Sequence, residues 1–316
     1  MKQFFKTVFA STLGVLIALG IVTMGSIFFF IGVAASSGGS TEYKPSKNTV
    51  FKLSLNGTLV EQSVKNPFSE LMGESSGQLA VPDVIKAIRR AKADDNIKGI
   101  YLEAGSLSSG FAGVEAIRRE LEDFKSSGKF IVSYGDFYTQ GAYYLCSVAD
   151  SIFLNPQGSV SLVGLASQGL FYTGLAEKIG VEHYIFKVGT YKSAVEPYFL
   201  KKFSDANREQ LTSLLGSVWG NMTSAIEKSR NISSDELNRY LNEGLATGQA
   251  TNAVDYKLAD KLCYRYEVEN AVKEMAGQDV KGKLKTAGVD KVASIKVKEK
   301  DSKNKIAVLY AEGEIR

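Results

Sequence analysis

A single histidine, His183, in 316 residues leaves little room for histidine chemistry. A zinc site built on imidazoles needs a second one. A Ser-His-Asp triad would have to use this residue, which lies inside an apolar, strand-like run over 183–188. Cysteine is almost as scarce: Cys146 and Cys263 form no Cys-x-x-Cys motif and no metal-binding spacing. A disulfide between them stays open in an oxidising compartment. Cys146, in an apolar helical stretch, reads as a small buried residue. No metal and no cofactor is implied. There is also no basic face interleaved with aromatics, and the net charge of +4 from scattered residues gives no nucleic-acid footprint. Charge is concentrated only over 281–304, which reads as a solvated linker. If this chain works by nucleophilic attack, lysine is the better candidate base.

Charge is also missing near the N-terminus, with none between Lys6 and Glu42. The apolar run over 7–35 exceeds the ~20 residues a helix needs to cross the hydrocarbon layer. Val33-Ala34-Ala35 offers the small-residue site of a cleaved secretory signal, but the run is long for a signal, which favours an uncleaved anchor. Lys2 and Lys6 point to a cytoplasmic N-terminus, while Lys44 and Lys47 beyond the run blur that asymmetry. Ser/Gly residues at 36–40 form a flexible spacer. Residues 1–47 are thus tip, transmembrane anchor and spacer.

A folded body follows over 48–280. Residues 50–55 alternate as a strand and reach Asn56-Gly57, a turn signal. The polar stretch 67–77 reads as a loop. Pro82-Asp83 opens a helix with Val84, Ile85, Ile88 and Ala91 on one face. After a strand at 98–102, a helix carries Val114, Ile117, Leu121 and Phe124 and stops at Gly128. Strands at 130–134 and 151–154 flank a short helix. A long amphipathic helix spans 205–229, with others near 234–240 and 266–275. This alternation gives an α/β domain and, by itself, nothing finer.

The stretch Gly189-Thr190-Tyr191-Lys192-Ser193-Ala194-Val195-Glu196-Pro197 follows the strand-like run. Small and aromatic neighbours can strip water from a lysine there and make it a base, although most loop lysines are simply solvated. This stretch resembles the base-lysine segment of the signal peptide peptidase A family, in its long two-repeat bacterial type. The likeness extends through Tyr134-Gly135-Asp136-Phe137-Tyr138-Thr139-Gln140-Gly141-Ala142-Tyr143-Tyr144-Leu145 and Asn155-Pro156-Gln157-Gly158, and covers the chain from about Val50 onward. The resemblance implies a crotonase/Clp-protease-like spiral of β-β-α units behind one transmembrane helix. It also implies a Ser/Lys endopeptidase that degrades remnant signal peptides, with Lys192 as general base. Further implications are a homo-oligomer and a single-pass location in the bacterial inner membrane, with the bulk periplasmic.

The family's serine precedes Gly-Gly and an aromatic; here that place reads Gln140-Gly141-Ala142-Tyr143, and an amide is no nucleophile. Ser133 and Ser147 lie off the motif, and of Ser108-Ser109-Gly110 only Gly110 matches the family's oxyanion-hole glycines. In the two-repeat type the first repeat brings the base and the second the serine. Residues 50–59 and 306–315 share a strand-turn layout, Gly57 matching Gly313 and Leu59 matching Ile315. The expectation is that 305–316 begin a second repeat cut short, and that the piece alone is inactive. Adding the Gly57-to-Gly313 offset to Gln140 puts the serine at about position 396. Two rivals remain: a crotonase-like acyl-CoA enzyme, opposed by the anchor, and a non-catalytic scaffold or binding module, with which Gln140 agrees.

Overall fold

The computed structural model describes residues 1–37, 42–62, 77–244, 248–297, 304 and 306–309. Helix α1 (Lys2–Ser37) stands clear of the body. At 1.5 Å per residue it is about 54 Å long, and its Lys2–Gly32 stretch is long and apolar enough to cross a bilayer.

The body is a parallel sheet with helices on both faces. Its strands are β1 (Thr49–Val60), β2 (Gln78–Ala80), β3 (Ile97–Ser108), β4 (Phe130–Gly135), β5 (Ser151–Leu154), β6 (Lys261–Leu262) and β7 (Thr286–Ala287). They lie in the order β2-β1-β3-β4-β5-β6, with β7 also on β1, and every pairing is parallel. Crossovers run through α2 (Val81–Ala93), α3 (Phe111–Lys125) and α4 (Gln140–Cys146). The α/β expectation is therefore met.

Alternation in the strands builds two cores. Phe51, Leu53, Leu55, Ile100, Leu102 and Ile131 point into the larger one, under α2 to α4. Their neighbours Val50, Tyr101, Val132 and Tyr134 point the other way, against Val268, Val272 and Ala276 of α9 (Arg265–Ala276). Central strands of a parallel sheet covered on both sides are apolar on both faces for this reason. The helix faces read from sequence are the buried ones: Val84, Ile88 and Ala91 in α2, and Val114, Ile117, Leu121 and Phe124 in α3. Full burial of each large side chain is worth about 1.5–3 kcal/mol. Beyond the sheet come α5 (Thr173–Ile179), α6 (Asp205–Arg230), α7 (Ser234–Asn242), α8 (Ala250–Asp255) and α10 (Val289–Ala293).

Several local expectations change. Asn56-Gly57 is no chain reversal: β1 runs straight through, with a register shift between Leu55 and Gly57. Gly57 has φ +85°, and a Cβ there would lie 1.9 Å from the Gly77 carbonyl oxygen. The pair makes a bulge because β3 keeps going beside it, Asn56 accepting the Ser106 N–H at 3.0 Å. The stretch 183–188 is not a strand; it is irregular and exposed. Part of the expected 281–304 linker is built into the body. There Thr286–Ala287 pairs with β1, and Ala287, Val292 and Ile295 are buried. The 67–77 loop lies outside the described residues except Gly77. So does most of 305–316, whose described part, 306–309, is exposed and without regular structure.

Candidate functional site

The site is built where β3 and β4 end. β3 leads through Ser109 and Gly110 into α3, and β4 leads through Tyr138 and Thr139 into α4. Thr139 caps α4, its hydroxyl accepting the Ala142 N–H. Ser109 Oγ is 4.0 Å from where a Gly141 Cβ would sit, so the Ser109-Gly110 corner faces the start of α4. Behind it the returning chain is fixed at Val160. Tyr138 bridges to Val160, the Ser161 N–H donates to the Tyr138 carbonyl, and the Tyr240 hydroxyl donates to the Val160 carbonyl at 2.8 Å.

Gln140, at the position read as vacated by the serine, is engaged rather than free. Its Oε1 accepts the N–H groups of Val163 and Gly164, each at 3.0 Å, and its Nε2 donates to the Gly164 carbonyl at 3.1 Å. The two off-motif serines are no substitutes. Ser133 is fully buried and shares a hydrogen bond with the Tyr138 hydroxyl at 2.9 Å. Ser147, equally buried, donates to the Tyr144 carbonyl and accepts from Arg118 at 2.7 Å. Arg118 itself, 2% exposed, ties α3 to α4 and, through the Ala225 carbonyl, to α6.

Lys192 lies just beyond a turn at 189–191, its N–H 3.5 Å from the Gly189 carbonyl. Its side chain is exposed, and among the described residues its Nζ makes no hydrogen bond or ion pair. No hydrogen bond joins it to Gln140. A neighbour that sequence reasoning missed holds its loop. Glu196 is completely buried and accepts from the Ser204 hydroxyl (2.5 Å), the Ser204 N–H (3.2 Å) and the Asn207 amide (2.9 Å). Burial pushes its carboxyl up, but these bonds and the Lys187 charge outweigh that and hold it below the usual carboxylate range. Ser204 also caps α6. Glu196 thereby pins the Lys192 loop to the start of α6, and a Ser-x-x-Asn cap eight residues on was the only trace in the sequence.

His183 is exposed, packed on the Tyr198 ring at 5.2 Å, beside a cavity of about 310 Å3 that also touches Tyr184 and Phe199. Cys146 and Cys263 are free and buried on opposite sides of the sheet, so they form no disulfide. Among the described residues no group of three or more His, Cys, Asp or Glu could hold a metal.

On the opposite face, Arg265 bridges Glu103 and Asp136 and lies over the Tyr134 ring at 5.2 Å. Lys52 and Ser54 complete the shell around Glu103.

The sequence profile of Peptidase family S49 matches residues 123–280, half of the chain. That span contains the Gln140 corner, Lys192 and Glu196. "Protease 4" of Salmonella typhi is 34% identical over 262 residues, 78% of this chain and 42% of that protein. "Serine protease SPPA, chloroplastic" of Arabidopsis thaliana is 30% identical over 272 residues, 85% of this chain and 39% of that one. The chain thus spans about two-fifths of the length of these relatives. An enoyl-CoA hydratase/isomerase family protein from Silicibacter pomeroyi superposes with a TM-score of 0.41 at 14% identity, over 74% of this chain and 81% of that one. On the match across half its length, this chain belongs to peptidase family S49.

Proposed function

We propose that this chain is the membrane-anchored, base-supplying part of a Ser/Lys endopeptidase acting on remnant signal peptides, with Lys192 as general base. The observation that carries the reading is a lysine, without a side-chain partner among the described residues, held on a pinned loop inside the S49 match, while the serine's place is filled by Gln140. The nucleophile then comes from a second repeat or another subunit. In the reaction the neutral amine takes the proton from the serine hydroxyl as its oxygen attacks the peptide carbonyl. The resulting ammonium returns that proton to the leaving amine. Such an amine has to be sheltered from water, and Lys192 is exposed here, so a neighbouring body supplies the cover. The apolar surface on the same excursion, Leu170, Tyr184 and Phe186 among it, supports assembly with further copies. With α1 as anchor, the folded body sits on the periplasmic side of the bacterial inner membrane.

The test is Lys192→Ala in the natural full-length polypeptide, assayed on a quenched apolar peptide. The expected result is a fall of about 10²–10⁴-fold in kcat, the range for a lost general base, with KM little changed. Sequencing the same polypeptide should find a serine near position 396. Unchanged turnover in the variant removes the base role. The alternative, a non-catalytic scaffold or binding module, then stands, favoured by Gln140 and by the burial of Ser133 and Ser147.

A further inference from the structure

We propose that the lysine-rich stretch beyond residue 277 and the segment that follows α1 form one basic face, and that this face docks on anionic lipid headgroups. The two segments are fixed together at the end of the sheet where β1 begins. The Asn48 amide donates to the Gly277 carbonyl at 2.7 Å, and the Gln278 amide donates to the Asn48 carbonyl at 2.6 Å. The Val50 N–H donates to the Lys285 carbonyl at 3.1 Å, and Lys291 lies 6.0 Å from the centre of the Tyr43 ring. Arg90 holds the end of α10 through the Ala293 and Ile295 carbonyls. The charge that a free linker would carry loosely is therefore held as a surface.

Segments 42–48 and 277–297 hold seven lysines against Glu42, Asp279 and Asp290, a surplus equal to the +4 of the whole chain. All seven lysines are exposed, and among the described residues only Lys296 has an ion pair, with Glu42 at 3.1 Å. At the adjoining start of β3, Asp94 and Asp95 face Lys98 and Lys129, so they do not cancel the surplus. Position then names the partner. The Lys2–Gly32 stretch of α1 is the candidate span, and Glu42 lies five residues beyond the end of α1 at Ser37. Even fully extended, that connection reaches no more than about 18 Å, so the face stays beside any bilayer that α1 crosses. Each lysine at an anionic surface adds about fivefold to partitioning until salt screens it. Docked this way, the parallel strands run away from the bilayer. At about 3.3 Å per residue, the twelve residues of β3 set the Gln140 corner about 40 Å from the docked face. The inference rests on α1 as an anchor and makes no use of Lys192.

The experiment reconstitutes the whole chain in vesicles that carry a rhodamine-labelled lipid. A fluorescent maleimide is placed at Gly288→Cys or, separately, at Ser109→Cys. The native thiols are buried, and a Cβ at Gly288 meets open space. In vesicles of phosphatidylcholine with one-third phosphatidylglycerol, energy transfer from position 288 should be at least double that in pure phosphatidylcholine. Concentrated salt should remove the difference, and position 109 should transfer less than position 288. Lys283→Gln, Lys285→Gln and Lys291→Gln combined keep much of the side-chain length. That variant should lose the lipid dependence and melt with the parent. Equal transfer from position 288 in both lipids overturns the docking, because a tethered but undocked body would show it. Stronger transfer from position 109 than from position 288 in the anionic vesicles overturns it as well. A chain that floats with neither vesicle overturns the anchor reading, and the docking with it; turnover of peptide enters none of these outcomes.

Discussion

Arg118→Met tests the joint on which the site is assembled. The guanidinium, on α3, is 2% exposed and reaches partners at the end of α4 and on α6: the Tyr144 carbonyl, Ser147 Oγ at 2.7 Å and the Ala225 carbonyl at 3.2 Å. It also lies 4.5 Å from the centre of the Tyr144 ring. Its Nε stands 3.1 Å from the Glu122 carboxylate, an ion pair without hydrogen-bond alignment. Glu122 is half exposed, so that pair contributes about 0–1 kcal/mol. The carbonyls matter more. Tyr144 keeps a bond from Ser147 when the arginine goes, and Ala225 lies inside α6, so neither is wholly orphaned. Each lost charged hydrogen bond then falls at the low end of its range, about 1.5 kcal/mol. The three of them, with the ring contact offset by the methionine's own packing, give a net loss of about 4.5 kcal/mol.

The assay is built in. Trp219, the only tryptophan, lies on α6 and packs on the core, so guanidinium unfolding followed by its emission reads the joint directly. The expected result is a midpoint shift equivalent to that loss. Arg118→Lys, which keeps the charge but not the fork, should lose about half as much. A loss under about 1 kcal/mol for the methionine variant would refute the reasoning, because it would mean that packing, not the guanidinium, joins α3, α4 and α6.

Acid stability should follow the Glu103–Arg265–Asp136 network. Burial pushes Glu103 up, yet bonds from Ser54, Lys52 and Arg265 bring its pKa below the ordinary value; the Tyr134 hydroxyl, ahead of opposing burial and then Asn155 and Arg265, lowers that of Asp136. A depressed folded-state value means the contribution is present above the unfolded-state value of about 4 and is lost as pH falls through the folded one. Urea midpoints taken from pH 6 down to pH 3 should therefore drop less steeply for Glu103→Gln than for the parent chain, and parallel curves would contradict the assignment. The thiols give a separate check. Burial pushes the Cys146 thiol up to about 12 and raises that of Cys263, so neither should react with a disulfide reagent in the native chain and both should react in denaturant.

What could be read from the sequence was the part decided by periodicity. Val84, Ile88 and Ala91, then Val114, Ile117, Leu121 and Phe124, repeat at helical spacing, and the fold buries those faces. Asn56-Gly57 carried the local signature of a turn. Whether such a pair reverses the chain or bulges a strand depends on β3 alongside it, which no local window contains. Gln140 was legible as a departure from a motif, whereas its pairing with Val163 and Gly164 depends on where the chain returns after β5. Glu196 was harder still: a glutamate before a proline reads as solvated until Ser204 and Asn207 are brought over it.

The stretch 183–188 shows the same limit from the other side. His183, Tyr184, Ile185, Phe186, Lys187 and Val188 have the composition of a strand, yet Tyr184, Phe186 and Val188 are 82%, 94% and 87% exposed, and among the described residues no backbone hydrogen bond involves this stretch. Strand propensity measures fit to a half-buried pleated surface, and a strand exists only where a neighbour accepts its ladder. Within the described residues nothing lies beside 183–188 to do so. Its sequence therefore reports a demand for a partner, while the fold of this chain alone reports that the demand is unmet. The two observations are compatible, and both belong to the loop that carries Lys192. The shelter a lysine base requires and the ladder this stretch lacks would be supplied by one and the same neighbour. Amides of 183–188 should therefore exchange freely in the chain alone and become protected in the full-length polypeptide, where the neighbour proposed to shelter Lys192 is present.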